Sequence, residues 1–182
     1  MTEQEIIKDC IAGRARGQKA LYDLYYRKMY GVCLRYSRDT MQAEDFLQEA
    51  FIRVYKNIAQ FRLEGSFEGW IRRIVVNVCL EMIRKEKSML FIDGDERNYD
   101  FGDDPVSDKF NTQHLLKAIQ ELSEGYRTVF NLFAIEGYSH KEIADMLGIS
   151  EGTSKSQFAR ARQSLQLKLN MVSSVKTNAH VR

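Results

Sequence analysis

The sequence predicts an all-α protein of two small helical domains, a four-helix N-terminal domain and a C-terminal helix-turn-helix domain, joined by a linker. The chain of 182 residues contains a single proline, and proline is the residue that most strongly breaks helices. Leu, Ala, Glu, Lys, Arg and Gln are frequent, and apolar residues recur every three or four positions, as amphipathic helices require. Hydrophobic residues make up 44% of the chain, enough for a core in each domain.

Four amphipathic stretches predict the helices of the first domain, residues 1–87. Asp39 or Thr40 can cap the third helix, and a loop at 62–66 precedes the fourth. We expect most of the apolar side chains to be core, since a stripe at this spacing usually packs. The stripes are Ile6, Ile7, Cys10 and Ile11; Leu21, Leu24, Tyr25, Tyr30, Cys33 and Leu34; Phe46, Leu47, Ala50, Phe51, Val54, Tyr55 and Ile58; and Phe67, Trp70, Ile71, Ile74, Val75, Val78, Cys79, Met82 and Ile83.

The fourth helix of this domain combines aromatic and basic side chains. Phe67 and Trp70 are followed by Arg72, Arg73 and Asn77. Aromatic rings beside basic groups suit single-stranded DNA, because each base has a face to stack and a phosphate to pair. A base taken out of the stack also needs a polar pocket, which the loop at 62–66 can supply. Trp70 can equally be the centre of the first core.

The third helix has acidic and amide side chains on its polar faces, among them Asp45, Gln48 and Glu49. Such a surface is usually only solvated, but it can also dock a partner protein. After the fourth helix, residues 88–112 hold seven acidic and two basic side chains, the only proline and two glycines, without a sustained helical period. We therefore predict an exposed acidic linker between two basic helical domains.

Cysteine usage and hydropathy restrict the class of protein. The three cysteines are far apart and form no CxxC or Cys/His cluster, so we expect reduced, buried thiols and no metal site. The N-terminus opens acidic, and no apolar run approaches the length of a signal peptide core or a membrane span. The sequence predicts a cytoplasmic protein without a cofactor and without direct membrane insertion.

Residues 139–169 have the pattern of a helix-turn-helix. Ser139 and Glu142 have capping-box spacing, Gly148 stands where the first helix must end, and Ser150 can cap the second helix. In this motif the second helix usually enters the major groove of DNA. The apolar stripe of the predicted second helix consists of Phe158, Ala161, Leu165 and Leu169.

The polar side of that second helix favours DNA binding over an ordinary solvated face. No acidic residue follows Glu151, whereas six Lys or Arg residues do. Basic groups neutralise phosphates, and Lys, Gln and Ser can contact base edges. Ser154 stands where many such motifs place a packed Val or Ile, so we expect looser helix packing there. The candidate DNA-binding side chains are Thr153, Lys155, Ser156, Gln157, Arg160 and Arg162.

Three segments together resemble the extracytoplasmic-function sigma factors, the minimal two-domain members of the bacterial sigma-70 family. They are AEDFLQEAFIRVYKNIAQF, SFEGWIRRIVVNVCLEMIRK and LSEGYRTVFNLFAIEGYSHKEIADMLGISEGTSKSQFARARQSL. The resemblance covers nearly the whole chain, with two motifs in the right order. It implies sigma region 2 in residues 1–87 and region 4 in residues 113–170, followed by a short, frayed basic tail at 171–182. Ala159 is small where the family frequently has a larger apolar residue.

The resemblance implies a transcription initiation factor that binds RNA polymerase core and directs promoter recognition and opening. The −35 element would be read by the second helix of the helix-turn-helix, while its domain sits on the polymerase flap. An anti-sigma factor, often membrane-bound, is implied as a partner by analogy. The clamp helices of polymerase would bind Asp45, Gln48, Glu49 and Arg53, and the −10 element with its non-template single strand would contact Arg62, Ser66, Phe67, Trp70, Arg73 and Asn77.

Two other functions fit parts of the pattern. An autonomous helix-turn-helix regulator would use the first domain for dimerisation or ligand binding, and would bind a palindrome without polymerase. A helical nuclease or recombinase would place carboxylates such as Glu44, Asp45 and Glu49 on a metal, although Glu44 and Asp45 diverge on a helix. No histidine precedes residue 114, and no nucleophile, phosphate loop or metal-ligand spacing appears elsewhere. The sequence therefore favours a non-enzymatic sigma factor.

Overall fold

The regular structure of the chain is helical, as the sequence predicts. The structure is a computed structural model that describes residues 1–62, 64–90 and 110–179, with side chains outside 87–90, 110–112 and 170–179. Within these ranges there is no strand, and the predicted all-α class is confirmed. The helices are α1 (Glu3–Ile11), α2 (Ala15–Tyr36), α3 (Thr40–Asn57), α4 (Phe67–Leu90), α5 (Phe110–Gln120), α6 (Glu124–Phe130), α7 (His140–Leu147) and α8 (Glu151–Ala179).

Two compact units, Met1–Arg97 and Asn98–Arg182, divide the chain. The first contains α1 to α4, with a short 3₁₀ turn at Ile58–Gln60 after α3, and so has the four predicted helices. The second contains α5 to α8, with a π-helical segment, Asn131–Ile135, continuing α6. The exact boundaries of the predicted domains stay a prediction.

Side-chain caps fix where α1 and α3 begin. Thr2 and Glu5 form a reciprocal capping box at α1, in which each side chain satisfies a backbone N–H that the first turn leaves without an intrahelical partner. At α3 the side chain of Asp39 accepts a hydrogen bond from the amide of Gln42 at 2.8 Å. Of the two predicted caps, Asp39 is therefore the one used.

The core of the first unit is built from one stripe of each helix, but two predicted members lie outside it. Ile11 is 53% and Leu24 is 52% exposed. Ile11 is the last residue of its helix. In α2 the buried face runs through Leu21, Tyr25 and Met29, and a residue at position 24 falls to one side of that four-residue track. The three cysteines are free and buried, as predicted.

The approach of α1 to α2 depends on a carboxylate and a glycine. Asp9 accepts hydrogen bonds from Arg16 Nε at 2.6 Å and from Arg14 Nη1 at 2.7 Å, and these contacts hold the pKa of the Asp9 carboxyl below its ordinary value. A Cβ at Gly17 would lie 2.4 Å from Asp9 Cβ and 2.9 Å from the Asp9 carbonyl carbon. Only glycine lets the two helices come this close.

The second unit has its core between α5, α6 and α8. Two partly buried rings of α6, those of Tyr126 and Phe130, pack against this core. Of the stripe predicted for α8, Ala161 is fully buried and Leu165 is 5% exposed, so the predicted spacing is confirmed. One buried cluster of this core consists of Ala118, Ile119, Leu122, Ala161 and Leu165, and Val129, Leu132, Ile143 and Ala144 are buried as well.

Three helices extend into segments predicted to be irregular. Helix α4 ends at Leu90 and α5 begins at Phe110, both inside the predicted linker, whose residues 91–109 lie outside the described ranges. Helix α8 continues to Ala179 and so takes in most of the predicted frayed tail. None of the three extensions contains a glycine or proline, so nothing in these segments stops a helix that is already formed.

We expect Gly17→Ala to destabilise the protein by about 1–3 kcal/mol, because the added methyl group overpacks the contact between α1 and α2. The matched control is Gly31→Ala in the same helix, where a Cβ would meet no atom within 4 Å. That substitution should stabilise the protein by up to about 1 kcal/mol through helix propensity. Urea unfolding followed by circular dichroism measures both changes, and equal stability of the two variants would contradict the close approach.

Candidate nucleic-acid interface

The turn between α7 and α8 is built as the sequence predicts. Ser139 Oγ accepts from the amide of Glu142 at 3.3 Å, and Glu142 Oε2 accepts from the amide of Ser139 at 2.8 Å. The Ser139 hydroxyl also donates to Glu142 Oε2 at 2.7 Å, and this bond, together with the one from the Ser139 amide, lowers the pKa of Glu142. Gly148 ends α7 with φ of 67°, a left-handed conformation that favours glycine. Ser150 Oγ accepts from the amide of Thr153 at 3.0 Å and so caps α8.

Ser154 joins the two helices through a polar contact. Its side chain is fully buried, and its Oγ lies 2.9 Å from Nδ1 of His140, the first residue of α7. The His140 ring stacks on Phe133 with centroids 4.2 Å apart and meets the Phe158 ring edge-on at 5.9 Å. The expected loosening at Ser154 is thus offset by a hydrogen bond where an apolar side chain would pack.

Helix α8 presents its predicted DNA-binding side chains on two sides. Lys155, Ser156 and Arg162 are exposed, and Lys155 Nζ forms an ion pair with Glu151 Oε1 at 2.7 Å. Thr153 and Gln157 are half-buried. For Gln157 the reason is helix geometry, because at 100° per residue position 157 points at least 100° away from positions 155 and 156. The predicted side chains therefore do not all lie on one exposed face of α8.

Two of the predicted side chains lie against the start of α6. A Cβ at Gly125 would be 3.3 Å from Gln157 Oε1, so the amide group of Gln157 lies directly over that glycine. Arg160 is exposed, and its Nη1 donates a hydrogen bond to the Tyr126 hydroxyl at 3.2 Å. Neither contact could be read from the sequence, since the partners are more than 30 positions apart.

In the first unit, the start of α4 is an aromatic cluster. Phe67 is 2% exposed and is therefore core rather than a platform for a base. The Trp70 ring stacks on Phe67 with centroids 5.8 Å and planes 12° apart, and Phe61 contacts both rings. Trp70 is only half-buried. Part of its ring therefore packs against the core, and the rest lies at the surface.

The polar candidates around Trp70 lie on one side of α4. Ser66 Oγ accepts from the amide of Gly69 at 3.2 Å and caps the helix. Positions 70, 73 and 77 follow at helical spacing, and Arg73 and Asn77 are exposed, as is Arg62 before the helix. The structure thus brings the exposed part of one indole ring together with a guanidinium and an amide on this side of α4.

The candidates on α3 divide into exposed and structural side chains. Asp45 and Gln48 are exposed, whereas Glu49 and Arg53 are half-buried. Arg53 Nε donates to Glu49 Oε1 at 2.9 Å, and its Nη1 donates to Glu81 of α4. The Arg53 guanidinium holds the pKa of Glu81 at about 2, with Lys85 assisting. Arg53 therefore ties α3 to α4.

A groove of about 460 Å³ lies between α2 and α3 beside these exposed residues. Its rim includes Gln48, which is one of the candidates on α3. The Tyr22 ring packs on Phe51 with centroids 4.8 Å apart and on Tyr26 at 5.1 Å. The residues that line the groove are Tyr22, Tyr26, Glu44, Leu47, Gln48, Phe51, Ile52 and Tyr55.

Metal-binding and membrane-crossing features are both missing from the part of the chain that the structure describes. In that part, no three His, Cys, Asp or Glu side chains are grouped so that they could hold a metal ion. Among the same residues, no helix combines the length and apolar character needed to cross a membrane.

Comparison with known proteins identifies the family. Residues 21–89 match the Sigma-70 region 2 model, and residues 112–165 match the Sigma-70, region 4 model. The ECF RNA polymerase sigma factor SigW of Bacillus subtilis is 32% identical over 162 residues, which are 82% of this chain and 87% of that protein. The chain belongs to the extracytoplasmic-function (ECF) sigma factors. This ECF sigma factor is thus an RNA polymerase-associated protein that recognises promoters, which confirms the sequence interpretation over an autonomous regulator.

Further relatives cover almost all of the ECF sigma factor. The ECF RNA polymerase sigma-E factor of Haemophilus influenzae is 28% identical over 183 residues, covering 93% of this chain and 96% of that protein. Among solved structures, the sigma factor RpoE in its co-crystal structure with the anti-sigma factor NepR from Bartonella quintana has a TM-score of 0.58 at 23% identity. It covers 84% of this chain and 96% of that chain, and this likeness supports the fold.

We expect Arg53→Ala to raise the pKa of Glu81 from about 2 toward its ordinary value of 4.5. Because the folded-state pKa is lowered, the pair stabilises the fold above pH ~4.5 and loses this contribution as the pH falls toward ~2. Carboxyl chemical shifts followed against pH measure the change. Lys85→Ala, which removes the partner 3.0 Å from Glu81, is the control and should raise the pKa less. A Glu81 pKa that stays near 2 in Arg53→Ala would exclude Arg53 as the cause.

We expect His140→Phe and Ser154→Ala each to destabilise the protein by about 1–2 kcal/mol, because each leaves a polar atom of the other residue without its partner, the fully buried hydroxyl of Ser154 in the first case and the half-buried ring of His140 in the second. The double variant should lose less than the sum, since no polar atom is then left behind. Urea unfolding of the four proteins measures the coupling. Ser156→Ala, an exposed serine two positions along α8, is the control and should change stability by less than ~0.5 kcal/mol. Strict additivity would show that the contact does not connect the helices.

Proposed function

We propose that this sigma factor recruits polymerase core through α3, opens the −10 element at α4 and reads the −35 element with α8. It adds promoter choice to polymerase in the cytoplasm and performs no catalysis itself. The observation that carries the proposal is the exposed, positively charged side of α8, which is the second helix of the helix-turn-helix. A helix with one buried stripe and a basic exposed face is the element that such proteins insert into the major groove.

The −35 element is read from the exposed first turns of α8. Lys155 and Ser156 reach base edges, while Arg160 and Arg162 contact bases or phosphates. Lys155 must exchange its ion pair with Glu151 for DNA. Exposed pairs of this kind contribute little to stability, so the exchange costs little free energy. Gln157 lies against α6, and Thr153 is hydrogen-bonded to Ser150; both contact the edge of the bound duplex.

The −10 element is held open at the side of α4 that carries Trp70. A base of the non-template strand stacks on the exposed part of the indole ring, and Arg73 and Arg62 pair with phosphates. Asn77 and Ser66 supply hydrogen bonds to the bases or sugars. Phe67, being buried, acts through its stacking contact with Trp70, which fixes the orientation of the indole ring.

The surface that binds polymerase core is the exposed side of α3. Asp45 and Gln48 contact the clamp helices, and the aromatic groove between α2 and α3 accepts apolar side chains next to them. Glu49 and Arg53 hold α3 on α4 and thereby keep the surface in shape. The second unit rests on the polymerase flap, for which exposed apolar side chains such as Leu115 and Ile135 are available.

An anti-sigma factor is the proposed inhibitor of the free protein. The support is analogy, since the similar sigma factor RpoE was solved in complex with the anti-sigma factor NepR. A protein partner that covers the exposed sides of α3 and α8 would block polymerase and DNA together.

Two sets of substitutions should separate the proposed surfaces. Asp45→Ala with Gln48→Ala should reduce co-migration with core RNA polymerase on a sizing column, because exposed polar contacts on α3 are lost. Lys155→Ala should keep core binding but weaken the preferred −35 sequence by roughly 1–3 kcal/mol if the contact is to a base edge. The preferred sequence is first selected by the wild-type holoenzyme from promoter fragments with randomised elements.

Each variant is the control for the other, because the two lie in different units and both change exposed side chains. Circular dichroism confirms that the variants stay folded. Core binding unchanged in the α3 variant would remove α3 from the polymerase interface. Binding of a palindrome by the protein alone, without any association with core, would contradict the proposal as a whole.

A further inference from the structure

The side chain of Tyr126 connects the core of the second unit to the proposed DNA-binding surface. Its ring packs against the cluster that contains Ala161 and Leu165. Its hydroxyl reaches the surface and accepts a hydrogen bond from Arg160 Nη1 at 3.2 Å. A ring anchored in this way gives the hydroxyl a fixed position, whereas the guanidinium it holds belongs to a long side chain with many rotamers.

We propose that Tyr126 is a positioning residue for Arg160 and thereby helps to determine which −35 sequences this sigma factor prefers. This inference rests on the proposed function, in which α8 reads the −35 element. Tyr126 itself need not contact DNA. It acts by restricting where the Arg160 guanidinium is found before DNA arrives.

The chemistry of the contact leaves Arg160 able to bind DNA. A guanidinium has five N–H donors, so one hydrogen bond to a hydroxyl leaves the others for a base edge or a phosphate. The hydroxyl is neutral, so Arg160 keeps its full positive charge, and the hydrogen bond raises the pKa of its guanidinium. Lys155 differs, because its ammonium is paired with the carboxylate of Glu151 at 2.7 Å.

The neighbouring residue in α6 makes a second contact of this kind. The Gln157 amide lies over Gly125, where a Cβ would come within 3.3 Å of Oε1. The first turn of α6 therefore contacts two of the side chains proposed to bind DNA, one turn apart on α8. Restricting side chains in this way reduces the conformational entropy that each long side chain loses on binding.

The test is Tyr126→Phe, which removes the hydroxyl and leaves the ring in the core. Holoenzyme made from the full chain and core polymerase selects −35 sequences from a randomised library. Arg160→Ala, selected in parallel, identifies the base positions that depend on Arg160. At those positions we expect Tyr126→Phe to reduce the enrichment of the preferred base by roughly 2- to 10-fold. The same substitution should have no further effect in the Arg160→Ala background.

The matched control is Tyr138→Phe, which removes a hydroxyl from another half-buried tyrosine of the same unit and should not change the preference at those positions. The thermal unfolding midpoint of each variant is measured alongside, since a purely structural role would lower it and weaken all −35 sequences alike. If Arg160→Ala flattens a position and Tyr126→Phe does not, the positioning role is wrong while the proposed function stands. If Arg160→Ala changes no preference, Arg160 contacts no base of the −35 element and the positioning role is wrong, while a phosphate contact of Arg160 is compatible with that result.

Discussion

The packing of α8 against α6 and α7 is the contact on which the proposed DNA-reading surface depends. One helix carries both the core stripe, with Ala161 and Leu165, and the exposed side chains on its other side. Because successive residues are 100° apart, any rotation of α8 about its axis moves the core stripe and the exposed side chains together. The hydrophobic stripe is narrow and includes a small alanine, so apolar burial alone defines the rotation loosely. The polar contact between His140 and the buried Ser154 defines it more sharply.

Polar contacts of this kind contribute little net stability and much geometrical definition. A hydrogen bond adds only about 0.5–1.5 kcal/mol to folding, but leaving a buried partner unpaired costs about 1–3 kcal/mol. Arrangements that break the pair are therefore penalised more than the native one is favoured. The same reasoning applies in the first unit to Asp9, which is buried and accepts hydrogen bonds from Arg14 and Arg16. In each case a charged or polar pair sets how two helices meet.

Features that depend on neighbours within about four positions were predictable from the sequence. The capping box at Ser139, the left-handed Gly148 and the stripe through Ala161 were all predicted and are confirmed. Contacts that connect distant positions were not, since His140 and Ser154 are 14 residues apart and Tyr126 and Arg160 are 34 apart. The burial of Gln157 was missed for the same reason. Whether that side of α8 faces solvent is decided by α6, which no local pattern reveals.

The aromatic cluster at the start of α4 shows how closely folding and the proposed function are joined in so small a unit. Phe67 is core, and Trp70 rests on it with part of its ring exposed. Removing either ring would disturb both the packing and any base that stacks there, so loss of activity alone could not separate the two roles. The polar groups next to Trp70 are different, because Arg73 and Asn77 are exposed on the same side of the helix. An exposed residue that contacts DNA can be substituted without opening a cavity in the core. At such a residue, a change in sequence preference reports the loss of a DNA contact and not a loss of stability.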